Sequence, residues 1–126
     1  MHKNESCIDA MFAAWCAHDV DRLLACFAPD ARYEDVTLAR THAGHAELRS
    51  YMEVLFAVLP DLHLRADVRF ATPSQGAAHW VMEATRLAEA MPGTPAKRLR
   101  IEGVDLYEFR GGKVTSVKHV WDFRQW

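Results

Sequence analysis

The chain has 126 residues, half of them hydrophobic, which is enough for one domain with a core of its own. A net charge of −2 gives no global reason to expect a nucleic acid or an anionic membrane as a partner. No run approaches the ~20 apolar residues of a membrane span, and no apolar signal core follows the polar start MHKNESCID. We therefore expect a single cytoplasmic domain over residues 1–126 that binds neither membrane nor nucleic acid.

Three amphipathic helices are predicted in the first half of the chain. The first begins near Ser6 as its N-cap, and its apolar residues recur at helical spacing. These residues are Ile8, Met11, Phe12, Trp15 and Cys16. A second, short helix covers residues 20–27, with Asp19 as its cap. The third and longest covers about 45–59 and stops before Pro60.

A short strand is predicted between the second and third helices, over residues 31–36. Because side chains alternate along a strand, Tyr33 and Asp35 should point to the same side. The stretch after it, which contains Arg40, is expected to be a loop that leads into the third helix.

Two further strands follow the third helix. Polar and apolar residues alternate almost ideally over 62–72, as in a half-exposed antiparallel strand. The apolar set that should share one face is Leu62, Leu64, Ala66, Val68 and Phe70. The next strand covers 77–88 and places Trp80 and Met82 on one face.

Residues 99–123 form a predicted β-hairpin around a Gly-Gly turn. Asp105 lies in the middle of the apolar face of the first arm, and His119 lies in that of the second. A three-residue loop over 110–112 keeps both apolar faces on one side, whereas a two-residue loop would separate them. In that register Gly103 lies opposite His119, and Asp105 lies diagonal to it, about 7–8 Å away. An Asp and a His therefore lie close together on one apolar face, and this pair is the main feature of the sequence that indicates a functional site.

The order of elements indicates the fold class. Helices come first and a strand meander comes last, which is typical of an α+β domain. We expect one curved antiparallel sheet wrapped around three N-terminal helices. Such a cone leaves an apolar pocket at its wide end, with a few convergent polar groups.

Several motifs resemble the NTF2-like superfamily, within its SnoaL-like and ketosteroid isomerase-like branch. They are FAPDARYEDV, the THAG that precedes the third helix, and GVDLYEFRGGKV followed by VW. The likeness covers nearly the whole chain except for the loop at 89–98, and it implies the NTF2-like cone. It is specific for the fold and weak for function, because this fold carries many activities.

The resemblance also implies roles for individual residues. Asp35 falls where ketosteroid isomerase has its general base, and Asp105 falls where that enzyme keeps a protonated acid that donates to the oxyanion. Trp121 matches a pocket tryptophan, and His119 lies near the catalytic acid/base of related polyketide cyclases. Met11 stands where the isomerase has its oxyanion tyrosine, so this chain departs from the isomerase there.

Each of these residues also has a structural alternative. Asp35 is equally consistent with a solvated carboxylate at a strand edge, and Asp105 with His119 is consistent with a buried pair that only secures the hairpin. Tyr33 or His119 would have to supply the hydrogen bond that the missing tyrosine provides elsewhere. The residues predicted to bind the substrate have two interpretations, as part of the hydrophobic core or as the wall of the pocket. They are Tyr33, Trp15, Met11, Trp80, Met82 and Trp121.

The leading hypothesis is a cofactor-independent isomerase or cyclase that uses acid/base enolisation chemistry on a small apolar carbonyl compound. Its catalytic residues would be Asp35, Asp105 and His119, with neither a metal nor a cofactor. The alternatives are a non-catalytic dimeric ligand-binding module, or an epoxide hydrolase or dehydratase of the same fold. A homodimer formed through the sheet is expected in either case. An open pocket reached by Asp35 and Asp105 would favour the enzyme, whereas tryptophans filling that space would not.

Overall fold

The helices are α1 (Lys3–Ala17), α2 (Val20–Leu24) and α3 (Gly44–Val58) in the computed structural model, which describes residues 3–126. Asp19 caps α2 as predicted, because its side chain accepts a hydrogen bond from the backbone N–H of Arg22 at 3.1 Å. Ser6 lies inside α1, so its prediction as the N-cap is wrong.

The described residues form one six-stranded, curved and open sheet against these helices, which confirms the α+β class. Its strands are β1 (Phe27–Asp35), β2 (Arg40–Ala43), β3 (His63–Ala71), β4 (Gln75–Arg86), β5 (Lys97–Arg110) and β6 (Lys113–Trp121). The predicted loop around Arg40 is therefore a strand, which pairs back onto β1. Short 3₁₀ helices follow β4 and β6, over Ala88–Ala90 and Phe123–Gln125.

The strand order is β2-β1-β6-β5-β4-β3. Every pairing is antiparallel except that of β1 with β6, which is parallel. The prediction of a purely antiparallel sheet is therefore wrong at the pairing of β1 with β6. This pairing brings the first strand of the chain beside the last, and the backbone N–H of Val36 donates to the carbonyl of His119 at 2.9 Å.

The hairpin turn has two residues, because Arg110 pairs directly with Lys113. Gly111 and Gly112 both adopt positive φ, at +59° and +79°, which suits the tight turns of twisted hairpins. The predicted three-residue loop is wrong, yet the two apolar faces still coincide. A β-bulge leaves Thr115 without a register partner in β5 and restores the alternation.

A second bulge, at Asp67, changes the face of β3 half way along the strand. Ala66 pairs with Trp80 of β4, and the next paired residue of β3 is Val68, which is opposite His79. Asp67, between them, has no register partner in β4. Val68 and Phe70 are consequently 59% and 60% exposed, so the alternation predicted for this strand fails after Ala66.

The core lies between the helices and the inner face of the sheet. Its fully buried side chains come from every layer, and Ile8, Leu48, Met52, Leu99 and Val117 are the main examples. Within residues 3–126, none of the helices has the length and apolar character needed to cross a membrane.

Candidate active site

Four ionisable residues lie in one row across the inner face of the sheet. Arg40 of β2 is in register with Asp35 of β1, which is in register with His119 of β6. His119 in turn lies directly opposite Asp105 of β5 rather than diagonal to it, because of the bulge described above. Neighbouring strands are about 4.8 Å apart and paired residues point to the same face, so the row brings all four together.

This row forms the floor of a cavity of about 410 Å³. The volume falls within the ~300–1,000 Å³ of typical small-molecule sites. The predicted residues that line it are Asp35, Asp105, His119, Tyr33, Trp15, Trp80, Met82 and Trp121. Met11 is different: it is buried in the core and does not line the cavity, so its prediction as a substrate-binding residue is not supported.

Asp105 is buried and its carboxylate accepts hydrogen bonds from three sides. The indole Nε1 of Trp80 donates to Oδ1 at 3.0 Å, and the hydroxyl of Tyr107 donates to Oδ2 at 3.2 Å. Nδ1 of His119 lies 2.6 Å from Oδ1. These three partners surround both oxygens of the carboxyl group. The role implied by the resemblance, a protonated acid that donates to a ligand, stays a prediction.

His119 is held in place by Asp105 and by Trp80. Its ring stacks on the Trp80 indole with centroids 5.0 Å apart and planes 6° apart. Burial lowers the pKa of His119, but the Asp105 carboxylate, their hydrogen bond and the charge of Asp35 outweigh burial and raise it above 6.5. Because Nδ1 faces Asp105, Nε2 is the nitrogen left for a ligand.

Gly103 makes this arrangement possible. A Cβ atom at this position would lie 2.2 Å from Cζ2 of Trp80, a distance at which the two atoms overlap. The indole of Trp80 therefore lies across the backbone of Gly103, and its N–H reaches Asp105 on the neighbouring strand. Gly103 was predicted to lie opposite His119, but its partner in β6 is Trp121, and the Trp80 indole occupies the space above it.

Asp35 is 4% exposed, so the alternative of a solvated carboxylate at a strand edge is wrong. The indole Nε1 of Trp121 donates to both of its oxygens, at 3.1 and 3.2 Å. The backbone N–H of Leu38 donates to Oδ1 at 3.0 Å. These donors fix the orientation of the carboxylate at the cavity.

Two tyrosines form a further polar group in the cavity wall. The rings of Tyr33 and Tyr51 lie 5.2 Å apart between centroids, and burial raises the pKa of both hydroxyls. Tyr51 was missed in the sequence, although it lies three residues after Leu48 and four before Leu55 on the buried side of α3. Other lining residues that were missed are Leu38, Arg40, Leu55, Phe123 and Trp126.

The sequence matches a known protein family over most of its length. The pattern of the SnoaL-like domain matches residues 8–117. Cyclase aurE of Calcarisporium arbuscula is 30% identical over 66 residues, which are 52% of this chain and 48% of that protein. The chain thus matches about half the length of this curated relative.

Solved structures share the fold over almost the full length. AclR, a proposed hydroxylase of Streptomyces galilaeus, has a TM-score of 0.82 at 24% identity, covering 97% of this chain and 80% of its own. A protein of ketosteroid isomerase-like fold from Catenulispora acidiphila also has a TM-score of 0.82, at 18% identity, covering 94% and 87%. The chain belongs to the SnoaL-like domain family and has the ketosteroid isomerase-like fold of the NTF2-like superfamily.

Proposed function

We propose that this protein is an acid/base enzyme that enolises a small, mostly apolar carbonyl compound. The observation that carries the proposal is the row in the cavity floor, where the Asp35 carboxylate neighbours an imidazole held by Asp105. An anionic base beside a cationic acid is the combination that moves a proton on carbon while a negative charge develops on oxygen. A cyclase among the relatives supports this class of chemistry.

In the proposed reaction, Asp35 takes a proton from the carbon next to the carbonyl group. The carbonyl oxygen accepts a hydrogen bond from Nε2 of protonated His119, which stabilises the enolate. Asp105 keeps its charge throughout and holds the imidazolium in place. Return of the proton at another carbon of the ligand gives isomerisation, whereas attack of the enolate on a second carbonyl gives cyclisation.

The walls of the cavity suit a ligand of low polarity. Trp15, Met82 and Ile101 contribute apolar surface to it, and its volume of about 410 Å³ remains open beside the tryptophans. An apolar ligand that fills the cavity displaces water from it, so the charges on Asp35 and His119 would act on that ligand with little screening.

The proposal is tested by isomerisation of a β,γ-unsaturated ketone, followed through the absorbance of the conjugated product. Asp35→Asn and His119→Gln are expected to lower kcat by about 10²–10⁴-fold, the usual contribution of a general acid or base. Glu34→Gln is the matched control, because Glu34 neighbours Asp35 but points to the other face of β1. Equal rates for wild type and Asp35→Asn would exclude Asp35 as the base. A wild type that binds the ketone without converting it would be a binding module.

We also propose that two copies of the chain pair through the outer face of the sheet. Exposed apolar side chains occupy two adjacent rows there: Val68, Val104 and Val120 in one, Phe70 and Leu106 in the other. His79 and Ala77 lie between them on β4, and Lys118 ends the second row. A cluster of exposed apolar side chains of this kind is typical of an interface. The outer face carries none of the residues assigned to catalysis, so pairing leaves the cavity accessible.

A further inference from the structure

Arg40 lies at the mouth of the cavity, at the end of the row of ionisable residues. It is the first residue of β2 and the register partner of Asp35, so its side chain belongs to the same face as the catalytic carboxylate. It lines the cavity and is exposed at the same time. A group in this position meets both solvent and any ligand that enters.

The guanidinium of Arg40 makes no hydrogen bond or ion pair with another residue in 3–126. Its register partner Asp35 is already engaged by the Trp121 indole and by the backbone N–H of Leu38. Several other arginines of the sheet do have carboxylate partners, for example Arg100 with Glu102 at 2.6 Å and Arg98 with Asp61 at 3.0 Å. The five N–H donors of Arg40 are therefore left for a ligand.

The other charges of the cavity decide what that ligand group is. In the proposed function Asp35 carries one negative charge, and the charges of Asp105 and protonated His119, whose Nδ1 and Oδ1 atoms are 2.6 Å apart, offset each other. The interior therefore repels an anionic group, whereas the mouth attracts one. A guanidinium binds a carboxylate through two parallel hydrogen bonds, which fixes direction as well as position.

We propose that Arg40 is a specificity-determining residue that binds an anionic oxygen of the substrate, best supplied by a carboxylate. This inference rests on the site of the proposed function and adds the substrate class: an apolar body with one acidic group. The acidic group stays at the mouth on Arg40, while the carbonyl group of the same molecule reaches Asp35 and His119 at the floor. Arg40 thereby selects the end of the substrate that enters first.

The test compares two probes that differ only in charge, 2-naphthoate and 2-naphthamide. Binding is measured at neutral pH by quenching of tryptophan fluorescence, since Trp15, Trp80, Trp121 and Trp126 line the cavity. The wild type is expected to bind naphthoate at least about 10-fold more tightly than the amide, as for a hydrogen bond between charged groups. Arg40→Gln is expected to remove this preference with less than about a 2-fold change for the amide.

Arg32→Gln is the matched control, because it removes the same charge from the opposite face of β1. It should keep the preference, and Arg40→Lys should keep part of it, since lysine retains the charge but not the fork of donors. The inference is overturned if the wild type shows no preference, if Arg40→Gln retains it, or if Arg32→Gln loses as much.

The same titration with Asp35→Asn separates this inference from the proposed function. The variant is expected to lose turnover and to keep its preference for naphthoate. A wild type without turnover would overturn the enzyme proposal but not the assignment of Arg40. Loss of the preference in Asp35→Asn would overturn the assignment of Arg40, because the selectivity would then depend on the floor of the cavity.

Discussion

Asp105 and His119 act as one unit, and the partners of the carboxylate explain why. Trp80 and Tyr107 occupy its other acceptor positions, and the carboxylate outweighs the effect of burial and raises the pKa of the imidazole opposite. In this arrangement Asp105 orients and charges His119, and His119 is the member of the pair that meets a ligand.

Replacement of Asp105 by Asn should lower the pKa of His119. The main influence that raises this pKa would be gone, while burial, which lowers it, would remain. The pKa is measured from the imidazole NMR signals over a pH series, with His119→Gln to identify the signal. Asp67→Asn is the control, because Asp67 lies near His79 on the outer face and not near His119. An unchanged titration of His119 in Asp105→Asn would contradict the pairing.

The same pKa also predicts the sign of a pH effect on stability. The folded state binds the His119 proton more tightly than the unfolded state, whose pKa is near 6.5. The contribution of this pair to the free energy of unfolding is therefore complete below pH 6.5 and is lost as the pH rises through the raised value.

The alternation of polar and apolar residues was enough to identify Asp105 and His119 as candidate site residues. Burying a charged residue on an apolar strand face costs free energy, so such a residue stands out in the sequence. Asp35 was identified as a candidate only through the family resemblance, because at a short polar strand end a carboxylate does not differ from its neighbours. Arg40 could not be found in either way. Its place beside Asp35 depends on the pairing of β2 with β1, in a segment that was predicted as a loop. The row reaches His119 only through the parallel pairing of β1 with β6, which no local feature of the sequence indicates.

Among the elements, the hairpin of β5 and β6 shows how two local irregularities compensate. The Gly-Gly turn alone would put the apolar faces of its arms on opposite sides, and the bulge at Thr115 alone would do the same. Together they restore a common face and place His119 directly opposite Asp105. The correct face was predicted from the wrong turn, because burial constrains which face of a strand is apolar more strongly than it constrains the turn.

Gly111→Val should destabilise the protein, because Gly111 has a φ of +59° and a β-branched residue is strained there. The expected loss in the free energy of unfolding is about 1–2 kcal/mol, measured by urea denaturation. Gly111→Asn should cost clearly less, since Asn tolerates this conformation in tight hairpin turns. No side chain competes for the space at this position, so equal losses in the two variants would contradict a backbone cause.

Helices were easier to predict than strand registers in this chain. The spacing of apolar residues placed α3 within one residue at each end, over Gly44–Val58. Bulges have no such signature: the one at Asp67 reversed the faces of Val68 and Phe70 in a strand with almost ideal alternation. What selects it is tertiary, because Arg69 then reaches Asp9 of α1 at 2.8 Å.

At the level of the whole molecule, the outer face of the sheet is the proposed dimer interface. Phe70→Glu is expected to shift the protein from dimer to monomer, because a charge in the middle of an apolar contact is left without a partner. The molar mass is measured by light scattering after size-exclusion chromatography. Val54→Glu, which puts the same charge at an exposed apolar residue of α3 instead of the sheet, serves as the control. A monomeric wild type would contradict the proposed dimer.

The parallel pairing of β1 with β6 has a consequence for how the protein folds. Trp121 donates to Asp35 across 86 positions of the chain, and Thr37 bonds the backbone of Trp121 across 84. Closing so long a loop is entropically costly and slow, whereas β3 to β6 pair with neighbours nearby in sequence. We expect the meander to form first and β1 to join it late. Asp35 and His119 then meet only in the last step, so a partly folded chain lacks the site of the proposed reaction.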